Sequence, residues 1–170
     1  MTAWRKSLKA SAWEILEQIP DPEVPALSIV DLGIVRSVEV GGSKVTVGIA
    51  PTYSGCPATE VIEDSVVKSL HSGGINHVSI QRVLSPPWTS DWISDRGREK
   101  LREYGIAPPE KGAAARGALL RNPMATERIV ACPRCGAENT KKVSEFGSTA
   151  CKSSYKCRDC LEPFEYFKCI

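Results

Sequence analysis

Ile34-Val35-Arg36-Ser37-Val38-Glu39-Val40-Gly41-Gly42-Ser43-Lys44-Val45-Thr46-Val47-Gly48-Ile49 decides how the first half of the chain folds. Val38 and Val40 alternate with Ser37 and Glu39, and Val45, Val47 and Ile49 alternate with Thr46, Gly48 and Ala50. A period of two marks a strand with one face in a core. Gly41-Gly42 stands between the runs, and glycine tolerates the positive φ of tight hairpin turns, so the stretch predicts a β-hairpin over Ile34–Val40 and the strand that returns.

The pattern on either side is helical. From Ser7 to Ile19, Leu8, Ala12, Ile15, Leu16 and Ile19 share one face, and Pro20 and Pro22 stop the run. From Pro57 to Ser72, Ala58, Val61, Ile62, Val66 and Leu70 share another, with Pro57 suited to the first helical position and Gly73-Gly74 to the stop. Val78–Leu84 predicts a third strand ended by Pro86-Pro87-Trp88, and Asp95–Tyr104 a last helix closed by Gly105. The expected fold class is α+β. A small two-layer α/β domain over 1–105, in the order helix, β-hairpin, helix, strand, helix, precedes a linker over 106–125 rich in Ala, Pro and Gly. The last module, over 126–170, holds two Cys-x-x-Cys pairs, Cys132/Cys135 and Cys157/Cys160, whose spacing predicts a four-cysteine zinc ribbon.

Composition narrows the function classes. Of 170 residues 42% are hydrophobic, enough for a packed core, and the net charge is +2. Such balance does not drive non-specific nucleic-acid binding. No run approaches the ~18 apolar residues a spanning helix needs. The first residues lead into an amphipathic pattern rather than an export signal, so the expectation is a soluble cytoplasmic protein.

The seven cysteines are Cys56, Cys132, Cys135, Cys151, Cys157, Cys160 and Cys169. An odd number with two Cys-x-x-Cys pairs fits thiol or metal chemistry in a reducing compartment better than a disulfide framework. Cys132-Pro133-Arg134-Cys135 and Cys157-Arg158-Asp159-Cys160 predict two knuckles closing a tetrahedral shell of four thiolates around zinc, with iron as the rival ion. The shell has no open position, so the site is structural, and the metal supplies folding free energy that a core of this size cannot. Redox-active dithiols are the weaker reading, since one disulfide needs only one pair. Four thiolates and a dication leave the module near neutral, which argues against nucleic acid. Cys151 and Cys169 stay unassigned: each fits a buried thiol, and Cys169, beside Phe164, Tyr166 and Phe167, could also reach a partner's metal.

Cys56 lies between a strand and a helix, after Thr52-Tyr53-Ser54-Gly55 and before Pro57. Unpaired N–H groups and the macrodipole at a helix N-terminus favour the thiolate, while an inert cysteine at a helix entry fits the spacing equally well. His71 and His77 flank Gly73-Gly74 at the far end of a helix about 22 Å long, too distant for Cys–His proton transfer. Asp21, Glu23 and Asp31 could act as acid/base groups or hard-metal ligands, although turn and capping roles are commoner. Neither a phosphate loop nor a dinucleotide fingerprint is present, and no independent enzyme activity is expected.

Four motifs occur in order: Asp21-Pro22-Glu23; Ser28-Ile29-Val30-Asp31-Leu32-Gly33-Ile34-Val35; Thr52 through Cys56-Pro57; and Ser85-Pro86-Pro87-Trp88. In these the chain resembles the small α/β iron–sulfur assembly family that includes SufT-like bacterial proteins and the eukaryotic cytosolic targeting factor. With the tail Glu162-Pro163-Phe164-Glu165-Tyr166-Phe167-Lys168-Cys169 it resembles the PaaD (PaaJ) family, accessory components of the phenylacetyl-CoA epoxidase system of aerobic phenylacetate degradation. The resemblance implies maturation rather than turnover: delivery or repair of the iron–sulfur cluster of the flavin and 2Fe–2S reductase, with the epoxidase subunits as partners. A non-catalytic structural subunit docking within the oxygenase complex is the alternative. It further implies that Cys56, with Thr52 and Asp31, handles the cluster or its iron, although Pro51 departs from the family pattern and puts the pose of Thr52 in question. A single thiolate holds a cluster only transiently, because Cys-only clusters use four. The missing ligands would come from a dimer mate, a small thiol or the recipient, and the ribbon would dock through an exposed aromatic edge.

Overall fold

β1 (Val35–Gly41) and β2 (Lys44–Ile49) pair antiparallel, with Val38 opposite Val47 and Val40 opposite Val45. Gly41 still pairs with Lys44, so the turn is Gly42-Ser43, one residue beyond the expected Gly41-Gly42. The structure, a computed structural model, describes residues 3–53, 55–112 and 129–168. It divides into two units, residues 1–88 and 89–170.

In the first unit α1 (Ala3–Leu16) precedes the hairpin, and α2 (Ala58–Ser72) leads from β2 to β3 (His77–Arg82). β3 runs parallel to β2, giving the sheet order β1-β2-β3, and a parallel neighbour requires such a crossover. α1 packs on β1 and α2, and α2 on β3, which makes two layers. Ala12, Leu16, Val38, Val45, Val47, Ile62, Val66 and Leu70 are buried between them. The buried face of α2 is a strict i, i+4 row of Ala58, Ile62, Val66 and Leu70. Val61, expected on it, lies to one side and is 53% exposed. Pro57 is the N-cap rather than the first helical residue, and β3 stops at Arg82, short of the expected Leu84.

The loop between α1 and β1 is locked by its own carboxylates. Asp21 accepts from the backbone N–H groups of Glu23 (3.0 Å) and Val24 (2.8 Å). Asp31 and Ser28 exchange bonds: the Asp31 N–H donates to Ser28 Oγ at 3.0 Å, and the Ser28 N–H to Asp31 Oδ2 at 3.4 Å. Trp88, buried beyond β3, donates its Nε1–H to the Leu32 carbonyl at 3.0 Å. Three of the four sequence motifs are therefore parts of this lock.

The second unit opens with a 3₁₀ turn, Ser90–Trp92, and α3 (Asp95–Glu103), whose N-cap Ser94 accepts from the Gly97 N–H at 2.9 Å. β4 (Ile106–Ala107) lies parallel to β7 (Pro163–Phe167), and β6 (Lys152–Cys157) and β5 (Thr140–Ser144) complete the order β4-β7-β6-β5. Arg98, nearly buried, donates to the carbonyls of Ser90 (2.8 Å) and Pro109; Lys111 pairs with Asp95, and the Gly112 N–H donates to Asp91. The last helix and residues 106–112 thus pack with the ribbon, whereas the sequence pattern puts a boundary after 105. The rest of the expected linker, 113–125, lies outside the described residues. Phe164, Tyr166 and Phe167 are buried, and Tyr155 stacks on Phe164 and meets Tyr166 edge-on, with ring centroids 5.8 Å apart in both pairs. These aromatics form a core, not the exposed docking edge expected for them. Among the described residues no helix is long and apolar enough to cross a membrane.

Lys152 is buried and paired with Glu165 at 3.2 Å. Glu165 also accepts from the Ser148 N–H at 2.5 Å and the Ser148 hydroxyl at 3.1 Å. A Cβ on Gly147 would stand 2.5 Å from Glu165 Oε1, so glycine leaves room for the carboxylate. Burial raises the Glu165 pKa, but the Ser148 N–H and hydroxyl and the Lys152 ammonium outweigh it and hold the group below the usual carboxylate range. A depressed carboxylate stabilises the fold above its unfolded pKa and loses that contribution as pH falls through the folded value. Glu165→Gln should therefore cost about 1–3 kcal/mol at neutral pH, and the gap in thermal midpoint from wild type should narrow on acidification. Trp88→Phe, which removes the donor to Leu32, should lower the urea midpoint by an equivalent of about 1–3 kcal/mol.

Candidate metal centre and cysteine cleft

Each knuckle of the ribbon is a tight turn fixed by backbone bonds. The Cys132 N–H donates to the Ala137 carbonyl, and the Cys157 N–H to the Glu162 carbonyl, both at 2.9 Å. Cys132 and Cys157 are buried in the cluster with Val130, Tyr155, Phe164 and Tyr166, while Cys135 and Cys160 are exposed. Cys132 Sγ lies 3.8 Å from Cys160 Sγ, and Cys135 Sγ 3.7 Å from Cys157 Sγ. All four sulfurs fall within 4.8 Å of one another. A tetrahedron with metal–sulfur bonds of about 2.3 Å has edges of about 3.8 Å. The quartet expected from spacing is assembled, and its geometry fits a four-coordinate zinc or iron.

Electrostatics point the same way. The N–H of Cys160 draws the Cys157 thiol down to about 7 against its burial, helped by the Asp159 N–H and the sulfurs of Cys160 and Cys135. The Glu162 N–H favours a Cys160 thiolate, yet desolvation of its sulfur within the quartet and the sulfurs of Cys135, Cys157 and Cys132 push that thiol up to about 12. The first sulfur to ionise makes the next harder to ionise, and a dication at the centre removes that penalty. Cys151 stands apart from the quartet, buried, with Sγ 3.0 Å from Thr149 Oγ1. Cys169 lies outside the described residues.

Cys56 occupies the turn before α2. Its N–H donates to the Tyr53 carbonyl at 3.3 Å, and its carbonyl accepts from the Thr59 N–H at 3.2 Å. Gly55, at φ +82°, makes the bend that a side chain at this position would resist. The thiol is free and half-buried, in an open cleft of about 590 Å³ lined by Pro51, Pro57, Thr59, Glu60, Arg82 and Leu84. Thr52 is buried and Asp31 has no accessible surface, and neither lines the cleft. His71 and His77 are exposed. Periodicity does not reveal Arg82 as a neighbour of Cys56. Parallel pairing of Ile49 with Arg82 carries it there, and Glu63 of α2 holds its guanidinium in a bidentate pair at 2.6 and 2.9 Å.

Comparison with known proteins identifies the lineage. Residues 120–168 match the family model described as PaaD zinc beta ribbon domain. The chain is 48% identical over 158 residues, 93% of its length and 91% of the relative's, to an Escherichia coli (strain K12) protein named as one subunit of a "Putative 1,2-phenylacetyl-CoA epoxidase". The chain belongs to the PaaD family. Residues 9–81 of this PaaD-family chain match the model described as iron–sulfur cluster assembly protein. The Staphylococcus aureus (strain USA300) "Fe-S protein maturation auxiliary factor SufT" is 40% identical over 76 residues, 44% of this chain and 85% of that one. A crystal structure of a domain of unknown function, DUF59, from Bacillus anthracis aligns at TM-score 0.55 and 26% identity, over 58% of this chain and 94% of that one.

The quartet yields a direct expectation: purified chain should carry about one metal ion, and Cys135→Ser should lower that content sharply. Because the ligands must be thiolates, retention should fall with pH. Chelation should remove amide-exchange protection from 129–168 and leave it in the hairpin of the first unit. A metal-free chain with a fully protected ribbon would be the contrary result.

Proposed function

We propose that the chain is an accessory protein of a phenylacetyl-CoA epoxidase system and delivers or repairs the iron–sulfur cluster of its reductase component. The family match, the name of the 48% identical relative and the maturation-factor name of the SufT relative all support an accessory or maturation role. The observation that carries the finer reading is a free cysteine on an open cleft with an incomplete ligand set. Among the described residues, the ribbon quartet is the one group of three or more Cys, His, Asp or Glu side chains close enough to hold a metal, and Cys56 is not in it.

The two sulfur sites then divide the work. Cys132, Cys135, Cys157 and Cys160 hold one structural zinc, or iron, in a shell with no vacancy for a visitor. Cys56 supplies one soft ligand to the cluster, which is cargo. The remaining ligands come from a second copy of the chain, a small thiol or the recipient, so the cargo leaves when the recipient completes its coordination. Thr52 and Asp31 are buried away from the cleft lining, so the handling role rests on Cys56. No catalytic turnover is assigned to the chain.

Reductase co-expressed with wild type or with Cys56→Ser tests this reading. The variant should leave the 2Fe–2S absorbance per flavin several-fold lower while its own ribbon metal content stays unchanged. Full cluster occupancy with Cys56→Ser would reject the handling role and favour a subunit that acts by docking alone.

A further inference from the structure

The two knuckles are built alike and finished differently. The residue after each second cysteine takes a left-handed backbone: Gly136 at φ +75° and Leu161 at φ +65°. Glycine adopts that conformation freely, and a bulky side chain does not. Leu161 is the one non-glycine residue with positive φ among the described residues. Its side chain returns little to the fold, being 64% exposed. A strained backbone that presents an apolar side chain to solvent is a reason to look for function at that point.

The charged side chains that line the hollow beside it are all cationic. Lys141 of β5 and Lys156 of β6 stand directly opposite each other in register, and like charges so placed weaken a sheet. β5 is an edge strand, and lysine on an edge discourages stray pairing, which accounts for Lys141. It does not account for Lys156 on the inner strand, nor for Arg158 beyond it. Among the described residues these three cations have no ion-pair partner, whereas Lys142 is held by Glu145 at 2.9 Å. With Leu161 and the exposed Val143 they line a hollow of about 540 Å³ on the ribbon.

We propose that this face docks an acidic protein surface, with Leu161 and Val143 as apolar contacts and Lys141, Lys156 and Arg158 meeting carboxylates around them. Aliphatic contacts ringed by charge match the apolar centre and polar rim of protein interfaces. The hollow contains no aromatic side chain on which a nucleic-acid base would stack. The inference rests on the accessory reading above only for the choice of probes, and it does not involve Cys56.

Binding of the metal-loaded full chain to each purified epoxidase subunit tests it, with Leu161→Gly and the double variant K141E/K156E beside wild type. Leu161→Gly relieves the backbone, so its metal content and thermal midpoint should equal or exceed those of wild type while affinity falls about tenfold or more. K141E/K156E should weaken binding by a similar factor, and wild-type affinity should fall with added salt. Wild-type binding that both variants retain would overturn this proposal alone, as would a Leu161→Gly chain that loses stability and binding together. A short single-stranded DNA bound by wild type, lost on charge reversal and indifferent to Leu161→Gly, would assign the face to nucleic acid and overturn it too. Wild type that binds no subunit would overturn it along with the accessory reading.

Discussion

Four cysteine sulfurs within 4.8 Å of one another are the constraint on which the second unit depends. The apolar cluster packed against them is small: Tyr155, Phe164, Tyr166, Val130 and Ala107, completed by the sulfurs of Cys132 and Cys157 themselves. A cluster of that size does not by itself offset the chain entropy of ordering the two knuckle turns. Nor can the sulfurs ionise together unaided, since one thiol is drawn to about 7 while its neighbour is pushed to about 12. A metal ion held by the quartet would therefore supply charge balance and folding free energy in one event. The Lys152–Glu165 pair, between β6 and β7, and the Arg98 brace, between α3 and Pro109, fix backbone elsewhere in the unit.

The features legible in the sequence are those that repeat. Period-two alternation marked β1 and β2, the i, i+4 row marked the buried face of α2, and the spacing of two Cys-x-x-Cys turns marked the quartet. Features that depend on one contact between distant residues leave no period. β4 has two residues, and Pro108-Pro109 beside it reads as linker until Arg98 is seen holding the Pro109 carbonyl. Phe164, Glu165 and Tyr166 alternate as a strand should, yet the pattern does not say whether a second layer covers them; the packing of Tyr155 decides that the aromatics are core. Asp31 shows the same limit at the candidate site. A carboxylate in a motif reads equally as ligand or as lock, and only its lack of accessible surface and its exchange with Ser28 assign it to the loop.

Where local rules agree with one another, in the hairpin, the helix faces and the knuckles, the chain is specifying its fold. The departures are few. Cys56 is a free thiol on an open cleft, outside the ligand group found among the described residues; Leu161 holds a conformation that its counterpart Gly136 adopts without strain; Lys156 faces Lys141 with no ion-pair partner among the described residues. The last two carry a cost that no ion pair or apolar burial among the described residues recovers, and all three are reachable from solvent. An interaction made outside the chain would satisfy all three: further ligands at the thiol, an apolar contact at the leucine, carboxylates at the lysines. A protein that completed these sites internally would be more stable and would have less to offer a partner, as the closed quartet illustrates.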